Sequence, residues 1–329
     1  MRQLLDSRNK IALFIIAGLI LLPLAVTNQY YLHMINLAGI YTLIIIGLNL
    51  LTGYTGQVSM GQAGYFAIGT YTAALLMLNI KLSFWLALPA AVLLCAVFGA
   101  IIGVPAMKLS GPYLVLATVG FGEIIRLVIL NWQPVTKGAA GLTGIPLPQL
   151  GTFRIMSEQD FYYLIFACLL LGTYVAHQLA RSKIGRTFSA IREDELAAEA
   201  MGVPVNHYKI WAFIISAMYA GAAGALYGTF AGVASPDNFT FDDSVGFLCM
   251  SVIGGSRTIE GAIIGAFVLT FLSEALRAFQ AYRLIIYGVI LIFTVIYMPQ
   301  GLAGIIGVWK NRRNRNDKKI ASESGLGES

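Results

Sequence analysis

Charge is scarce in this sequence. Only 12% of the 329 residues are Asp, Glu, Lys or Arg, and 57% are hydrophobic, whereas a soluble domain has about 25% charged residues. Because the few charges are absent from long stretches, they cannot cover the surface of a soluble protein of this length. A membrane β-barrel would have short alternating strands instead of long apolar runs. The chain is therefore predicted to be an all-α polytopic membrane helix bundle, and disorder, collagen and a disulfide scaffold are excluded.

Cysteine and histidine are also rare. The 3 cysteines lie in separate apolar runs, so we interpret them as small core residues. The 3 histidines do not cluster with Cys, Asp or Glu at ligand spacing, so neither a metal site nor another cofactor is predicted. The sequence has no recognisable Ser, His and acid set and no G-x-x-x-x-G-K-[ST] loop. It is therefore not predicted to be an enzyme, and any ATP hydrolysis that powers it is expected in a separate subunit.

Long apolar segments predict about ten membrane spans. Their approximate limits are 11–27, 33–51, 62–79, 83–104, 111–131, 160–180, 209–232, 243–254, 262–278 and 284–299. The eighth segment is short, so it is either a half-helix or merges with its neighbour around Gly254 and Gly255, which gives nine spans as the alternative. The first span has no small-residue cleavage site after it and is interpreted as a retained helix.

The basic residues predict the orientation. Of the 22 Lys and Arg residues, 16 lie on one side of the ten-span arrangement and 5 on the other. Because positive loops stay in the cytoplasm, both termini are predicted to be cytoplasmic. Six of the basic residues lie between Lys310 and Lys319, directly after an apolar span. They are interpreted as a topology signal and not as a nucleic-acid site, and residues 310–329 as a basic, then disordered, cytoplasmic tail behind a single membrane domain of residues 1–309.

The long cytoplasmic loop, about residues 181–208, is the most polar stretch between two spans. Helix signals run from Ser189, a possible N-cap, to a stop at Gly202 and Pro204. Its apolar residues fall on one face, whereas its polar residues include Glu193, Asp194, Glu195 and Glu199. A helix on the membrane surface usually carries Lys and Arg. The acidic residues therefore favour a protein partner over anionic lipid.

Glycine and polar residues crowd the end of the second predicted span. The residues concerned are Asn49, Gly53, Gly56, Gln57, Ser59, Gly61, Gln62 and Gly64. Non-helical backbone at membrane depth is tolerated only where protein or water satisfies it. We predict a broken or tightly packed helix beside a solute pathway, and simple packing of small residues is the alternative. A second cluster, Gly254, Gly255, Gly261 and Gly265, suggests an internal repeat.

Two charged residues lie within the fifth predicted span. Glu123 and Arg126 are three residues apart and share a helix face. Charges inside the membrane are costly and tend to be paired. They are interpreted as a structural ion pair facing the bundle interior.

Several separated motifs resemble those of a known family. They are LNLLTGYTGQVSMGQAGYFAIGTYTAALL (48–76), GPYLVLATVGFGEIIRLVILN (111–131), GLTGIP (141–146), AIREDELAAEAMGVPVNHYK (190–209), AGALYG (223–228), SPDNFTF (235–241) and PQGLAG (299–304). Their order and spacing are similar to those of the branched-chain amino-acid ABC transporter permeases of LivM type. The resemblance extends from about residue 30 to about residue 305.

The resemblance implies a permease of the bacterial inner membrane, embedded in lipid. Its expected partners are a second permease of LivH type, two ATP-binding-cassette ATPase subunits and a periplasmic substrate-binding protein. The substrates would be leucine, isoleucine and valine, or alternatively urea or short amides, moved by alternating access. The family's ATPase-coupling motif is matched by Glu199, Ala200 and Gly202, with Met201 where the wider pattern has Ala.

Three alternatives remain at this level. The second permease could be another copy of this chain. Glu123 and Arg126 could contact a zwitterionic solute transiently. A stand-alone ion-coupled transporter would need no acidic loop helix, but would require paired carboxylates or a half-helix ion site within the membrane.

Overall fold

The computed structural model describes residues 18, 22–23, 26, 28–150, 153–276, 282–298 and 301–304. Most of the first predicted span, Arg277 and the tail at 310–329 lie outside the described residues.

The described chain is mainly helical. The main helices are α1 (Gln29–Leu48), α2 (Gln62–Asn79), α3 (Phe84–Ala106), α4 (Pro112–Asn131), α5 (Glu158–Arg181), α6 (Lys183–Glu193), α7 (Glu195–Ala200), α8 (Val205–Ala231), α9 (Phe241–Gly254), α10 (Ile259–Ala275) and α11 (Arg283–Tyr297). A single helical turn covers Gln133–Thr136, and 3-10 turns cover Gly138–Ala140 and Pro236–Asn238. The strands are two residues long: β1 (Leu142–Thr143), β2 (Gln149–Leu150), β3 (Phe153–Arg154) and β4 (Val233–Ala234). Each predicted segment from the second to the tenth overlaps one of these helices, in agreement with an all-α membrane bundle.

Five helices in the described part of the chain are long and apolar enough to cross a membrane. They are α1 with its continuation to Tyr54, α3, α4, α5 and α8. The eighth and ninth predicted segments are separate helices, because α9 ends at Gly254 and α10 begins at Ile259. Gly255 has φ of 116°, which glycine tolerates. The side chain of Thr258 caps α10 by accepting from the amide of Gly261.

Small residues let α8 pack closely against α2 and α3. A Cβ on Gly224 would overlap the backbone carbonyl oxygen of Phe66, and one on Gly221 would lie 2.6 Å from the Sγ of Cys95. Helices in membranes associate through such close packing, since lipid is as apolar as the side chains. α8 therefore lies at the centre of the described bundle. The thiols of Cys95 and Cys249 are buried and form no disulfide, as expected for core residues.

Two short β-ladders lie in the connections between helices. β1, which follows α4, pairs antiparallel with β4, which follows α8. β2 pairs with β3 in the connection before α5. α8 thus extends from the end of the bundle that holds α6 and α7 to the end that holds β1 and β4. We refer to these as the loop end and the strand end.

The loop between α5 and α8 corrects one prediction. Instead of a single helix over Ser189–Gly202, it forms α6 and α7 with a break at Asp194, and Ser189 lies inside α6. The N-cap of α6 is Ser182, whose hydroxyl accepts from the amides of Ile184 and Gly185. Asp194 has extended backbone and caps α7 by accepting from the amide of Ala197 at 3.0 Å. A capping carboxylate at this position stops one helix and starts the next.

Candidate coupling site

The predicted helix break follows α1. α1 continues as a π-helix, Asn49–Tyr54, and the chain is then non-helical from Gly56 to Gly61 before α2 begins. Gly56 has φ of 75°. The amide of Met60 donates to the hydroxyl of Thr118 at 3.0 Å, so protein satisfies this polar backbone group. The role of this segment beside a solute pathway stays a prediction.

The two glycine clusters meet in the structure. Asn49 is fully buried; its Nδ2 donates to the carbonyl of Thr258 at 2.9 Å, and its Oδ1 accepts from the Ser251 hydroxyl at 2.5 Å. A Cβ on Gly53 would overlap the carbonyl oxygen of Ser256. The break after α1 and the break between α9 and α10 are thus packed directly on each other.

The remaining pathway candidates lie along the non-helical segment and the start of α2. Gly61 and Gly64 allow close contact with α4, where a Cβ on Gly61 would lie 2.8 Å from the carbonyl oxygen of Thr118. Ser59 is fully buried. Gln62 donates through Nε2 to the hydroxyl of Ser216 in α8 at 2.9 Å. The Oε1 atoms of Gln57 and Gln62 are buried without a hydrogen-bond partner.

The loop helices are attached to both breaks. Arg192, near the end of α6, donates from its guanidinium to the carbonyl of Gly53. Its neighbour Glu193 accepts from Arg257, in the turn between α9 and α10, at 2.8 Å. We call the residues Gly53, Arg192, Glu193, Ser256 and Arg257 the loop junction. It connects three segments that are far apart in the sequence.

The electrostatics of the loop junction centre on Arg192. Burial and the neighbouring Arg257 lower the pKa of the Arg192 guanidinium, while Glu193 opposes the shift. Arg192 forms no ion pair with a carboxylate in the described part of the chain. The positive charge at this position is therefore only partly compensated.

The predicted ATPase-coupling residues have different roles in the structure. Glu193 and Asp194 act within the fold as described above, and Glu195 accepts from Lys209 Nζ at 2.5 Å. Glu199, Ala200, Met201 and Leu196 are exposed, with Leu196 at 77% and Met201 at 84% of their full accessibility. Gly202 ends the segment with φ of 83°, a conformation that favours glycine. α7 thus presents the carboxylate of Glu199, which has no ion-pair partner among the described residues, beside exposed apolar side chains, a surface suited to a protein partner.

Glu123 and Arg126 form an ion pair on α4. Arg126 Nη2 lies 2.6 Å from Glu123 Oε1, and Nε of the same guanidinium lies 3.0 Å from Oε2. The side chain of Arg126 is 25% exposed and that of Glu123 is 40% exposed. Both side chains of the pair are therefore partly exposed.

Among the described residues, no group of three or more His, Cys, Asp or Glu residues is positioned to hold a metal ion.

Sequence reasoning missed Arg192, Lys209 and Arg257, which it counted only as topology charges. Their partners are separated from them by 139, 14 and 64 residues, respectively. No local spacing marks such pairs. The one available signal was that all three basic residues were assigned to the same side as the acidic loop.

Comparison with known proteins identifies the family. The sequence model of the branched-chain amino acid transport system permease component matches residues 30–295. The chain belongs to this family. This permease is 35% identical over 322 residues to the high-affinity branched-chain amino acid transport permease LivM of Escherichia coli K12, covering 90% of this chain and 76% of the relative.

The permease is also similar to transport permeases of other names. It is 25% identical over 301 residues to the permease LivH of Salmonella typhimurium, covering 84% of this chain and 95% of the relative. It is 30% identical over 192 residues to the autoinducer 2 import permease LsrC of Klebsiella pneumoniae, covering 56% and 54%. No solved structure matches. The similarity to LivM places the permease in the LivM-type group of multi-pass membrane transport components.

Proposed function

We propose that this permease is the LivM-type subunit of an ABC importer in the bacterial inner membrane, with ten spans and cytoplasmic termini. It pairs with a LivH-type permease and two ATPase subunits, and accepts leucine, isoleucine or valine from a periplasmic binding protein. The sequence supports this orientation, because 16 of the 22 Lys and Arg residues fall on the predicted cytoplasmic side of the ten-span arrangement. The LivM and LivH relatives are permeases for branched-chain amino acid transport, which supports the substrate class.

The observation that carries the proposal is the attachment of an exposed docking surface to two helix breaks. α7 offers Leu196, Met201 and Glu199 to solvent. The adjacent end of α6 is bonded to Gly53 and Arg257 through the loop junction. An ATPase subunit that binds α7 would therefore act on the backbone of both breaks.

Alternating access follows from this arrangement. When the two ATPase subunits close on ATP, they displace α6 and α7. The displacement passes through Arg192 to the π-helical end of α1, and through Glu193 to the turn between α9 and α10. Because breaks in helices absorb backbone changes at little cost, both helices reorient around them. ATP binding thus turns the solute path to one side of the membrane, and hydrolysis, which lets the ATPase subunits separate, returns it to the other.

Substrate selectivity is assigned mainly to the binding protein. The membrane-crossing helices of the described chain have few fixed charges, and the pair Glu123 and Arg126 neutralises itself. A path without fixed charges that bind the solute strongly releases the solute readily, as transport requires.

Co-purification tests the ABC assignment. The assembled complex is purified from its native host, and Glu199→Lys and Gly202→Asp are compared with Asp237→Lys, a charge reversal at an exposed residue near β4. We expect the ATPase subunits to travel with the wild type and the control, and to be reduced or lost in the two loop variants. Wild-type transport in liposomes that lack any ATPase would contradict the proposal and favour an ion-coupled transporter.

The substrate is tested separately. The cognate binding protein is screened by thermal shift against amino acids, urea and short amides. Stabilisation by leucine, isoleucine and valine is expected. If only urea or a short amide stabilises the binding protein, the proposed substrate is wrong and that compound takes its place. The ABC mechanism is unchanged in that case.

A further inference from the structure

A cavity of about 720 Å³ lies beside the loop junction at the loop end. It lies between the non-helical segment after α1, the start of α4, and the loop helices. Val58, Leu114, Val115 and Ile191 give it an apolar wall, and Arg192, Glu193 and Asp194 give it charges of both signs. It is large enough for a small metabolite and has more apolar than polar surface.

The cation in this cavity is available to an anion. Lys209, which also lines the cavity, is paired with Glu195 at 2.5 Å. Arg192 instead donates to a backbone carbonyl and has no carboxylate partner among the described residues. A guanidinium has five N–H donors, so most of its donors remain for a ligand carboxylate.

The same wall holds a buried hydrogen-bond acceptor that has no donor. Gln57 lines the cavity, is 7% exposed, and its Oε1 is buried without a partner. A buried acceptor without a donor is unfavourable. Gln57 directly follows Gly56, and a Cβ on Gly56 would lie 3.2 Å from the Cγ of Arg192. The backbone just before Gln57 and the side chain of Arg192 are therefore close together, and both residues line the same cavity.

We propose that this cavity binds an α-amino acid with an apolar side chain from the cytoplasmic side. The ligand carboxylate binds Arg192, its ammonium donates to Gln57 and the acidic residues of the loop, and its side chain lies against Val58, Leu114, Val115 and Ile191. The cytoplasmic assignment rests on the proposed function. The cavity is a site for the product of import, separate from the periplasmic binding protein.

Direct binding tests the site. The assembled transporter, without binding protein, is placed in lipid nanodiscs and titrated with radiolabelled L-leucine. We expect saturable binding that weakens about tenfold or more in Arg192→Lys, because Lys cannot bind a carboxylate in the bidentate way of Arg. The same loss is expected in Gln57→Met, because Met lacks the amide acceptor. Arg186→Lys, at an exposed position of α6, is the matched control and retains wild-type affinity. 4-Methylpentanoate and isopentylamine, which lack one charged group each, are expected to compete poorly.

Several results would overturn the site. They are the absence of saturable leucine binding, wild-type affinity in both variants, or competition by 4-methylpentanoate as strong as that by leucine. If one variant fails to assemble, the other and the two analogues decide the question. Failure of the site is distinguishable from failure of the proposed function. ATPase subunits that still co-purify and respond to the binding protein leave the importer assignment intact.

Discussion

The guanidinium of Arg192 donates a hydrogen bond to the backbone carbonyl of Gly53, 139 residues earlier in the chain. Gly53 belongs to the π-helical end of α1, and Arg192 to the loop helix α6. A bond to a carbonyl transmits motion of the side chain to the backbone itself. The position of α6 and the shape of the first helix break are therefore linked.

Replacing Arg192 by Ala should uncouple ATP hydrolysis from transport. Without the bond to Gly53, movement of α6 is no longer passed to α1, while the exposed surface of α7 stays intact. We expect the ATPase rate to persist and the amount transported per ATP to fall about tenfold, the effect of losing one charge-assisted hydrogen bond. Transport and phosphate release are measured in proteoliposomes. Arg186→Ala is the control, and unchanged coupling in Arg192→Ala would reject the link.

Gly53→Ala should destabilise the bundle by about 1–3 kcal/mol, the usual cost of overpacking. The added methyl group would overlap the carbonyl oxygen of Ser256, a backbone atom that cannot move away alone. Thermal unfolding of the detergent-solubilised complex checks this. Gly120→Ala in α4, where a Cβ meets no atom within 4 Å, is the matched control and should be neutral or slightly stabilising. Equal melting temperatures would show that the two breaks are not in contact.

Asn49→Asp should also lower stability, by about 1–3 kcal/mol. The aspartate cannot donate to the carbonyl of Thr258, and it brings a carboxylate into a fully buried site. The measurement is the melting temperature of the complex across pH, where protonation of the new carboxyl at low pH should restore part of the loss. Asn206→Asp, at an exposed position of α8, provides the control. A melting temperature independent of pH would argue against this explanation.

A double-mutant cycle tests the ion pair of α4. Glu123→Gln and Arg126→Gln each leave one charge without its partner, whereas the double variant removes both. Each single variant should therefore be less stable than the double variant, with a coupling of about 1 kcal/mol. Thermal unfolding in lipid nanodiscs supplies the values. Additive effects would indicate that solvent or lipid headgroups compensate each charge independently.

Much of the helical layout could be predicted from the sequence. The predicted spans 83–104 and 111–131 differ by at most two residues from the ends of α3 and α4. These helices are long apolar runs bounded by polar or helix-starting residues, so local composition determines them. The break after α1 was likewise predicted from its glycines.

The contacts between distant segments could not be predicted. The division of the loop helix at Asp194 depends on whether this residue continues a helix or caps one, and its neighbours in sequence permit both. Asn49 bonds to Thr258 across 209 residues, and no periodicity connects them. The loop junction is a property of the folded chain, because each of its bonds requires α6 and one of the two breaks to be in place.

The pairing of Leu142 with Ala234 limits how the helices could move in the proposed transport cycle. It fastens the segment after α4 to the segment after α8, and the hydroxyl of Tyr71 in α2 donates to the same Ala234 at 2.9 Å. The helices α2, α4 and α8 are thus held together at the strand end, whereas the ATPase subunits would act at the loop end. In the proposed transport cycle, the strand end would act as the hinge, and the helices would move farthest at the loop end.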